Sequence, residues 1–179
     1  MTSTPLDLTG KVVLITGGSS GIGRSSAIKI AEAGAKVIIV ARGEKELIET
    51  RDEIAAAGGK CWAYTCDLTD LASCDELVKK VLVDHKHVDI LVNNAGRSIR
   101  RSVEASYDRF HDFERTMQLN YFGCLRLIMG FLPVMTERKK GHIINISSIG
   151  VLASSPRFSA YVASKAALDA FSRCAQAEF

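Results

Sequence analysis

The run Lys11-Val12-Val13-Leu14-Ile15-Thr16, followed at once by Gly17-Gly18-Ser19-Ser20-Gly21-Ile22-Gly23, restricts the fold more than any other stretch. The first six residues are short, rich in β-branched apolar side chains and bounded by glycine, the pattern of a strand buried on both faces. From Arg24 to Ala33 the spacing is helical, with Ile22, Ala27, Ile30 and Ala31 on one side and Gly34 at the stop. A glycine-rich turn between a buried strand and a helix is an anion site. Backbone amides come close without Cβ interference, and the positive end of the helix faces the ligand. A tight turn alone would also use glycine, but this position favours a nucleotide phosphate.

Val37-Ile38-Ile39-Val40 reads as the second strand. It completes a strand-helix-strand unit of about 30 residues that should cross over right-handed. Units of this kind that prefer the unphosphorylated dinucleotide place an acid at the end of this strand, bonding the ribose hydroxyls. Ala41 and Arg42 stand there instead. An acid would repel a 2′-phosphate, whereas a guanidinium grips one through two parallel hydrogen bonds, so the choice falls on NADP(H). The competing reading makes Arg42 a plain surface residue. Glu44 to Ala57 is helical and ends at Gly58-Gly59, and Cys61 to Cys66 is the third strand. Asp67 follows, where strand ends of open parallel sheets face the ligand. It equally heads Asp67-Leu68-Thr69-Asp70 as a cap for a helix from Leu71 to about Asp84, and the sequence does not choose.

Asp89 to Val92 is the fourth strand, leading into Asn93-Asn94-Ala95-Gly96. Small and amide residues there admit a flat ring, and they suit an ordinary turn as well. Arg97, Arg100 and Arg101 form a basic cluster beside the expected cleft, with a solvated loop as the plainer reading. A long helical pattern runs from Phe113 to about Arg138, where Pro133 should bend or end it. Asn120 lies inside this apolar stretch and must bond either backbone or a water. His142 to Ile146 is the fifth strand, with Ser147 and Ser148 at its carboxyl end. A loop through Pro156 leads to Tyr161-Val162-Ala163-Ser164-Lys165, thirteen residues after Ser148. Residues four apart share a helix face. A cation beside a phenol lowers its pKa from about 10, and a tyrosine so tuned exchanges a proton with an alcohol or carbonyl oxygen. Ser148 could hold that same oxygen. Such a group is half of a carbonyl/alcohol redox site, although the pair alone also describes a tyrosine and a lysine on an exposed helix.

The chain has 179 residues, 47% hydrophobic and 24% charged, enough for one domain with a real core. A net charge of +3 is too small to argue for nucleic acid. Met1 to Asp7 has neither the basic start nor the apolar run of a signal peptide. No apolar stretch is expected to reach the ~18 to 20 residues of a membrane span. The five cysteines, at 61, 66, 74, 124 and 174, are odd in number and lack C-x-x-C, which argues for free thiols in the cytoplasm. His85 and His87 have no third ligand candidate nearby in sequence, so no metal site is expected.

Thr16-Gly17-(x)3-Gly21-Ile22-Gly23, Asn93-Asn94-Ala95-Gly96, Asn120, Ser148 and Tyr161-(x)3-Lys165 resemble, in order, the motifs of short-chain dehydrogenases/reductases. The resemblance covers the chain from Leu8 onward. It implies one NADP(H)-binding domain over residues 1–179, an α/β fold of Rossmann type: a doubly wound parallel sheet in strand order 3-2-1-4-5 with helices on both faces. It also implies that Tyr161 is the acid/base and that Lys165 binds the nicotinamide ribose and lowers the tyrosine's pKa. Ser148, selected over Ser147 by the thirteen-residue interval, would hold the substrate oxygen, and Asn120 would anchor a water linked to Lys165. The cofactor would lie along Gly17, Ser19, Ser20, Gly21, Ile22 and Gly23, with Arg42, with Asp67 and Leu68 at the adenine, and with Asn94, Ala95, Gly96, Tyr161 and Lys165. The stretches 96–101, 110–123 and 157–161 are more narrowly similar to bacterial fatty acyl-CoA reductases. That implies hydride transfer from NADPH to a thioester carbonyl, collapse of a hemithioacetal to aldehyde and coenzyme A, and a place in lipid metabolism. A homodimer or homotetramer paired through the long helix and the Tyr161 helix is implied too. Such proteins continue with further strands and a substrate loop, so the chain is expected to be truncated inside the helix reaching Phe179.

Overall fold

The structure, a computed structural model, describes residues 7–178. The reading of Met1 to Leu6 and of Phe179 lies outside those residues. Five strands form one parallel sheet, as the strand-helix alternation requires, in the order β3-β2-β1-β4-β5 that the resemblance implies. They are β1 (Val12–Thr16), β2 (Lys36–Ala41), β3 (Lys60–Thr65), β4 (Ile90–Asn93) and β5 (His142–Asn145).

Successive side chains of a strand point to opposite faces, and β1 shows what that does here. Val12 and Leu14 enter a core with Leu77, Val78 and Val81 of α3 (Leu71–His85) and with Leu127, Ile128 and Phe131 of α5 (Cys124–Glu137). Val13 and Ile15 enter the opposite core, with Ala27 and Ala31 of α1 (Gly21–Glu32) and Leu47 and Ile54 of α2 (Glu44–Ala56). All five residues of β1 are buried, which is why the run carries no polar alternation. Phe131 is among the largest fully buried side chains, and truncating it to alanine should cost about 3–5 kcal/mol.

The expected helix around Asn120 is one continuous run of three parts: α4 (His111–Met117), a π-helical turn (Gln118–Gly123) and α5. Pro133 neither ends nor interrupts it. Pro133 and Met129, whose carbonyl the proline leaves without a donor, are both exposed, so water can satisfy that carbonyl. The run His111–Glu137 is also apolar enough, by length and composition, to cross a membrane, contrary to the expectation that no stretch would be. Its apolar face is the one packed on the sheet: Leu127, Ile128 and Phe131 are 0–1% exposed in the core shared with α3.

Five further differences are local. Helix α1 begins at Gly21, three residues before the expected start, so the last two glycines of the loop form its first turn. Ile22 is 70% exposed and does not share the buried face of Ala27 and Ala31. Helix α3 is capped by Asp70, whose Oδ1 accepts from Ala72 N at 2.9 Å, and not by Asp67. A short helix α6 (Gly150–Ala153) precedes α7 (Ser159–Ala175), and α7 ends at Ala175 in a turn rather than running on to Phe179.

Candidate active site

The glycine loop leaves β1 toward α1 with Gly17 at φ 69° and Gly21 at φ 52°, conformations costly for any residue with a Cβ. A methyl on Gly23 would lie 2.1 Å from the Gly17 carbonyl oxygen and 2.6 Å from Asn94 Nδ2, so only glycine lets these segments meet. Ser20 is the N-cap of α1, yet its side chain makes no capping bond. The amides of the first turn are therefore left for a ligand, the arrangement an anionic group requires. Ser19 is half-buried beside them, and Ser20 and Ile22 are exposed.

Thr16, the last residue of β1, ties this loop to the Asn94-Ala95 turn. Its Oγ1 accepts from Asn94 N and Ala95 N, both at 3.0 Å, and its carbonyl accepts from Asn94 Nδ2 at 2.9 Å. The motif around Thr16 does not assign it this work; a hydroxyl at the exit of a buried strand is the signal for it. Asn93 belongs to β4, not to the turn. It is fully buried, and its Nδ2 donates to Asn145 Oδ1 at 2.9 Å. Asn145 Nδ2 in turn donates to Ser172 Oγ of α7, so this amide pair fixes α7 against the sheet.

Arg42 is exposed just past the end of β2; the hydrogen bonds from Thr69, and after them the charge of Arg42, hold the Asp67 carboxyl below the usual carboxylate range. Asp67 Oδ1 accepts from Thr69 N at 2.9 Å and from Thr69 Oγ1 at 2.8 Å, a local turn at the carboxyl end of β3. The Leu68 side chain is buried in the core, so a ligand would meet that residue through its backbone.

The helix run from His111 and α7 supply the deeper groups. Asn120 is fully buried in the π-helical turn, a local widening that recurs at functional sites. Its Oδ1 accepts from Arg97 N at 2.8 Å, and its Nδ2 donates to the Arg97 carbonyl and to Ser164 Oγ, each at 2.9 Å. Ser164 passes its own hydrogen to the Tyr161 carbonyl at 2.7 Å. Lys165 is 3% exposed, and burial pushes its ammonium below the ordinary lysine range. Lys165 Nζ donates to the Ile146 carbonyl at 2.7 Å, two residues before Ser148, leaving two of its three hydrogens for other partners. A methyl on Gly96 would lie 3.3 Å from Asn120 Oδ1 and 3.4 Å from Lys165 Nζ, so those two groups and the Gly96 backbone converge.

Ser148 Oγ accepts from Gly150 N at 3.1 Å, which leaves its hydrogen free to donate. A methyl on Gly150 would lie 3.0 Å from Val162 Cγ2 and 3.3 Å from Ser148 Oγ, so Ser148 lies against the first turn of α7. Tyr161 is half-buried in that same turn. Asn120, Lys165 and the main chain of Tyr161 are thus tied together by hydrogen bonds, with Ser148 against the first turn of α7, at the carboxyl ends of the strands, the edge to which the glycine loop, Arg42 and Asp67 also belong. A proton donor, a buried cation and an anion cradle on one edge can hold a dinucleotide and a polar substrate together.

The description "short chain dehydrogenase" fits residues 11–179 of this chain. A "Fatty acyl-CoA reductase" of Acinetobacter baylyi is 62% identical over 169 residues, covering 94% of this chain and 57% of that protein. A "Fatty acyl-CoA reductase" of Mycobacterium tuberculosis is 49% identical over 176 residues, covering 98% of this chain and 60% of that protein. This chain therefore spans a little over half the length of each. A metagenomic short-chain oxidoreductase, solved in complex with NADP, superposes with a TM-score of 0.90 at 34% identity, over 96% of this chain and 77% of that one. With the glycine cradle, the Asn120–Ser164–Tyr161 linkage and the buried Lys165 in place, the chain belongs to the short-chain dehydrogenase family.

Proposed function

We propose that the protein is an NADP(H)-dependent oxidoreductase that reduces the thioester carbonyl of a long-chain fatty acyl-CoA to a fatty aldehyde. The observation that carries the redox part is the buried Lys165, held on the Ile146 carbonyl beside Ser148 and packed with Asn120 against Gly96. A cation kept in a dry site at a cost to its own ionisation marks a functional position. The substrate is suggested by the two relatives named fatty acyl-CoA reductase and by the apolar side chains exposed on both segments bordering the site. These are Val103, Tyr107 and Phe110 on one segment and Ile149 and Leu152 on the other, all more than 60% exposed.

NADPH, when bound, supplies the hydride. The uncapped first turn of α1 and the glycines would hold its diphosphate, and Arg42 its 2′-phosphate. Asp67 and the Leu68 backbone would flank the adenine; Ala95 and Gly96, with Lys165, would lie along the nicotinamide ribose. Ser148 donates to the carbonyl oxygen, and Tyr161 delivers the proton as that oxygen gains electron density. Asn120 fixes the Arg97 backbone at the site's edge. The thioester, NADPH and a proton give aldehyde, free coenzyme A and NADP+. A homodimer or homotetramer in the cytoplasm is the working form we infer with it.

The test incubates the full-length protein with NADPH and palmitoyl-CoA while following cofactor absorbance and thiol release. Oxidation matched by thiol release is expected. Oxidation with ketones alone would instead make the protein a general ketone reductase or alcohol dehydrogenase, and tight cofactor binding with neither activity would make it a nucleotide-binding protein. Arg42→Asp should invert the cofactor preference toward NADH; an unchanged preference removes Arg42 from the 2′-phosphate.

A further inference from the structure

A single buried carboxylate gathers three guanidiniums beside this site. Asp112 is 3% exposed, and Arg101 Nε, Arg109 Nε and Arg115 Nη2 reach its oxygens at 3.1, 3.3 and 2.7 Å, with His111 Nε2 at 3.4 Å. One negative charge set against three positive ones leaves the group strongly cationic. Arg97 and Arg100 are exposed and enter no ion pair among the described residues. Glu104, Asp108 and Glu114 lie nearby in sequence and pair with none of these arginines.

The backbone places this charge. Both main-chain polar groups of Arg97 are clamped by Asn120, one residue from the Gly96 that packs on Lys165. Four residues on, Arg101 N donates to the Arg157 carbonyl at 2.7 Å, which joins the 97–101 segment to the entry of α7, where Tyr161 lies. Arg157 holds φ 72°, an unfavourable conformation for a side-chain-bearing residue, and its own guanidinium is added to the same rim. The segment therefore runs from the Asn120–Lys165 end of the site to the start of the Tyr161 helix. It carries three arginines and no acid.

We infer that Arg97, Arg100 and Arg101, with Asp112 as the positioning residue that holds Arg101, form a phosphate subsite on the rim, and that it takes the diphosphate and 3′-phosphate of an acyl-CoA. This rests on the reductase reading above. Arginine forks match phosphate oxygens in pairs, and the subsite stands outside the groups that would hold the nicotinamide dinucleotide. The phosphate-bearing end of the thioester lies on the charged rim while the carbonyl reaches Ser148 and Tyr161. No bond is made or broken at the subsite; it sets affinity.

The experiment compares the unaltered full-length protein with Arg97→Gln/Arg100→Gln, both exposed positions, using NADPH with three substrates. These are octanoyl-CoA, a soluble stand-in for the long-chain thioester; the octanoyl thioester of pantetheine, which lacks the phosphates; and octanal, whose carbonyl the same Ser148 and Tyr161 would reduce to the alcohol. The double variant should raise KM for octanoyl-CoA at least tenfold while leaving kcat, KM for the other two and KM for NADPH within about twofold. Added salt should weaken the octanoyl-CoA KM of the unaltered protein and hardly that of octanal. Octanoyl-CoA turned over with an unchanged KM in the variant, or equal losses on all three substrates, overturns the subsite and leaves the reductase reading standing. Failure of the unaltered protein to reduce any acyl-CoA overturns the reductase reading, and the subsite with it.

Discussion

The side-chain amide of Asn120 holds both main-chain polar groups of Arg97, accepting from N at 2.8 Å and donating to the carbonyl at 2.9 Å. It acts as a one-residue stand-in for a strand partner and is itself held in a π-helical turn. Replacing Asn120 with alanine leaves both Arg97 groups and Ser164 Oγ short of a partner. We expect a loss of about 1–3 kcal/mol in urea unfolding together with a fall in kcat. A variant that melts normally and turns over normally would show that the clamp is ornamental to both.

Lys165 should behave in the opposite sense. Its ammonium is disfavoured by burial, so the folded chain binds fewer protons than the unfolded one as pH approaches the ordinary lysine value from below. Stability linked to this group therefore rises with pH through that window, and burying the charged form costs stability at neutral pH. Lys165→Met should leave Tm unchanged or raise it while lowering kcat by about 100-fold or more. A large drop in Tm would assign the residue to the fold instead.

Asp112 offers a pH test with a defined window. Its carboxyl is held at about 2, with the hydrogen bond from Arg115 the largest cause and Arg109 next. A depressed carboxylate contributes stability that is complete above its unfolded value, near 3.8, and is lost as pH falls through about 2. Chemical denaturation followed down that range should show a slope that Asp112→Asn removes, along with a lower Tm at neutral pH. Parallel curves for the two proteins would count against the ion cluster.

The loop glycines should rank by geometry. Gly23→Ala drives a methyl to 2.1 Å from the Gly17 carbonyl, whereas Gly21 has open space and only a φ of 52° to lose. Gly21→Ala should cost about 1–2 kcal/mol. Gly23→Ala should cost more and raise the cofactor Kd at least tenfold, read by thermal melts and fluorescence titration. The reverse order would place the close approach elsewhere.

The parallel sheet and the glycine cradle could be read from residues alone because they depend on local patterns. An unbroken apolar run, a glycine turn and a 3.6-residue repeat each report their own segment, and five such runs alternating with helices make a parallel sheet whose strand order the family resemblance supplied. That Tyr161 and Lys165 share one helix was legible for the same reason, four residues apart. The partners of Asn120 were not, because Arg97 and Ser164 lie 23 and 44 residues away in the chain. Residue type alone made Asp67 a candidate cap of α3, and the backbone at Leu71 gives that bond to Asp70 instead. Pro133 reads as a helix breaker until the fold turns it to water.

The sequence by itself determined which segments become strands and helices and which chemistry each carries, since those follow from side-chain period and from glycine's missing Cβ. Only the tertiary structure decided which polar groups meet: that Asn120 would hold a backbone, that one carboxylate would gather three arginines, and that Lys165 would be buried on the carbonyl of Ile146. Hydrogen bonds and ion pairs form over about 3 Å, and the packing of distant segments alone sets distances that short.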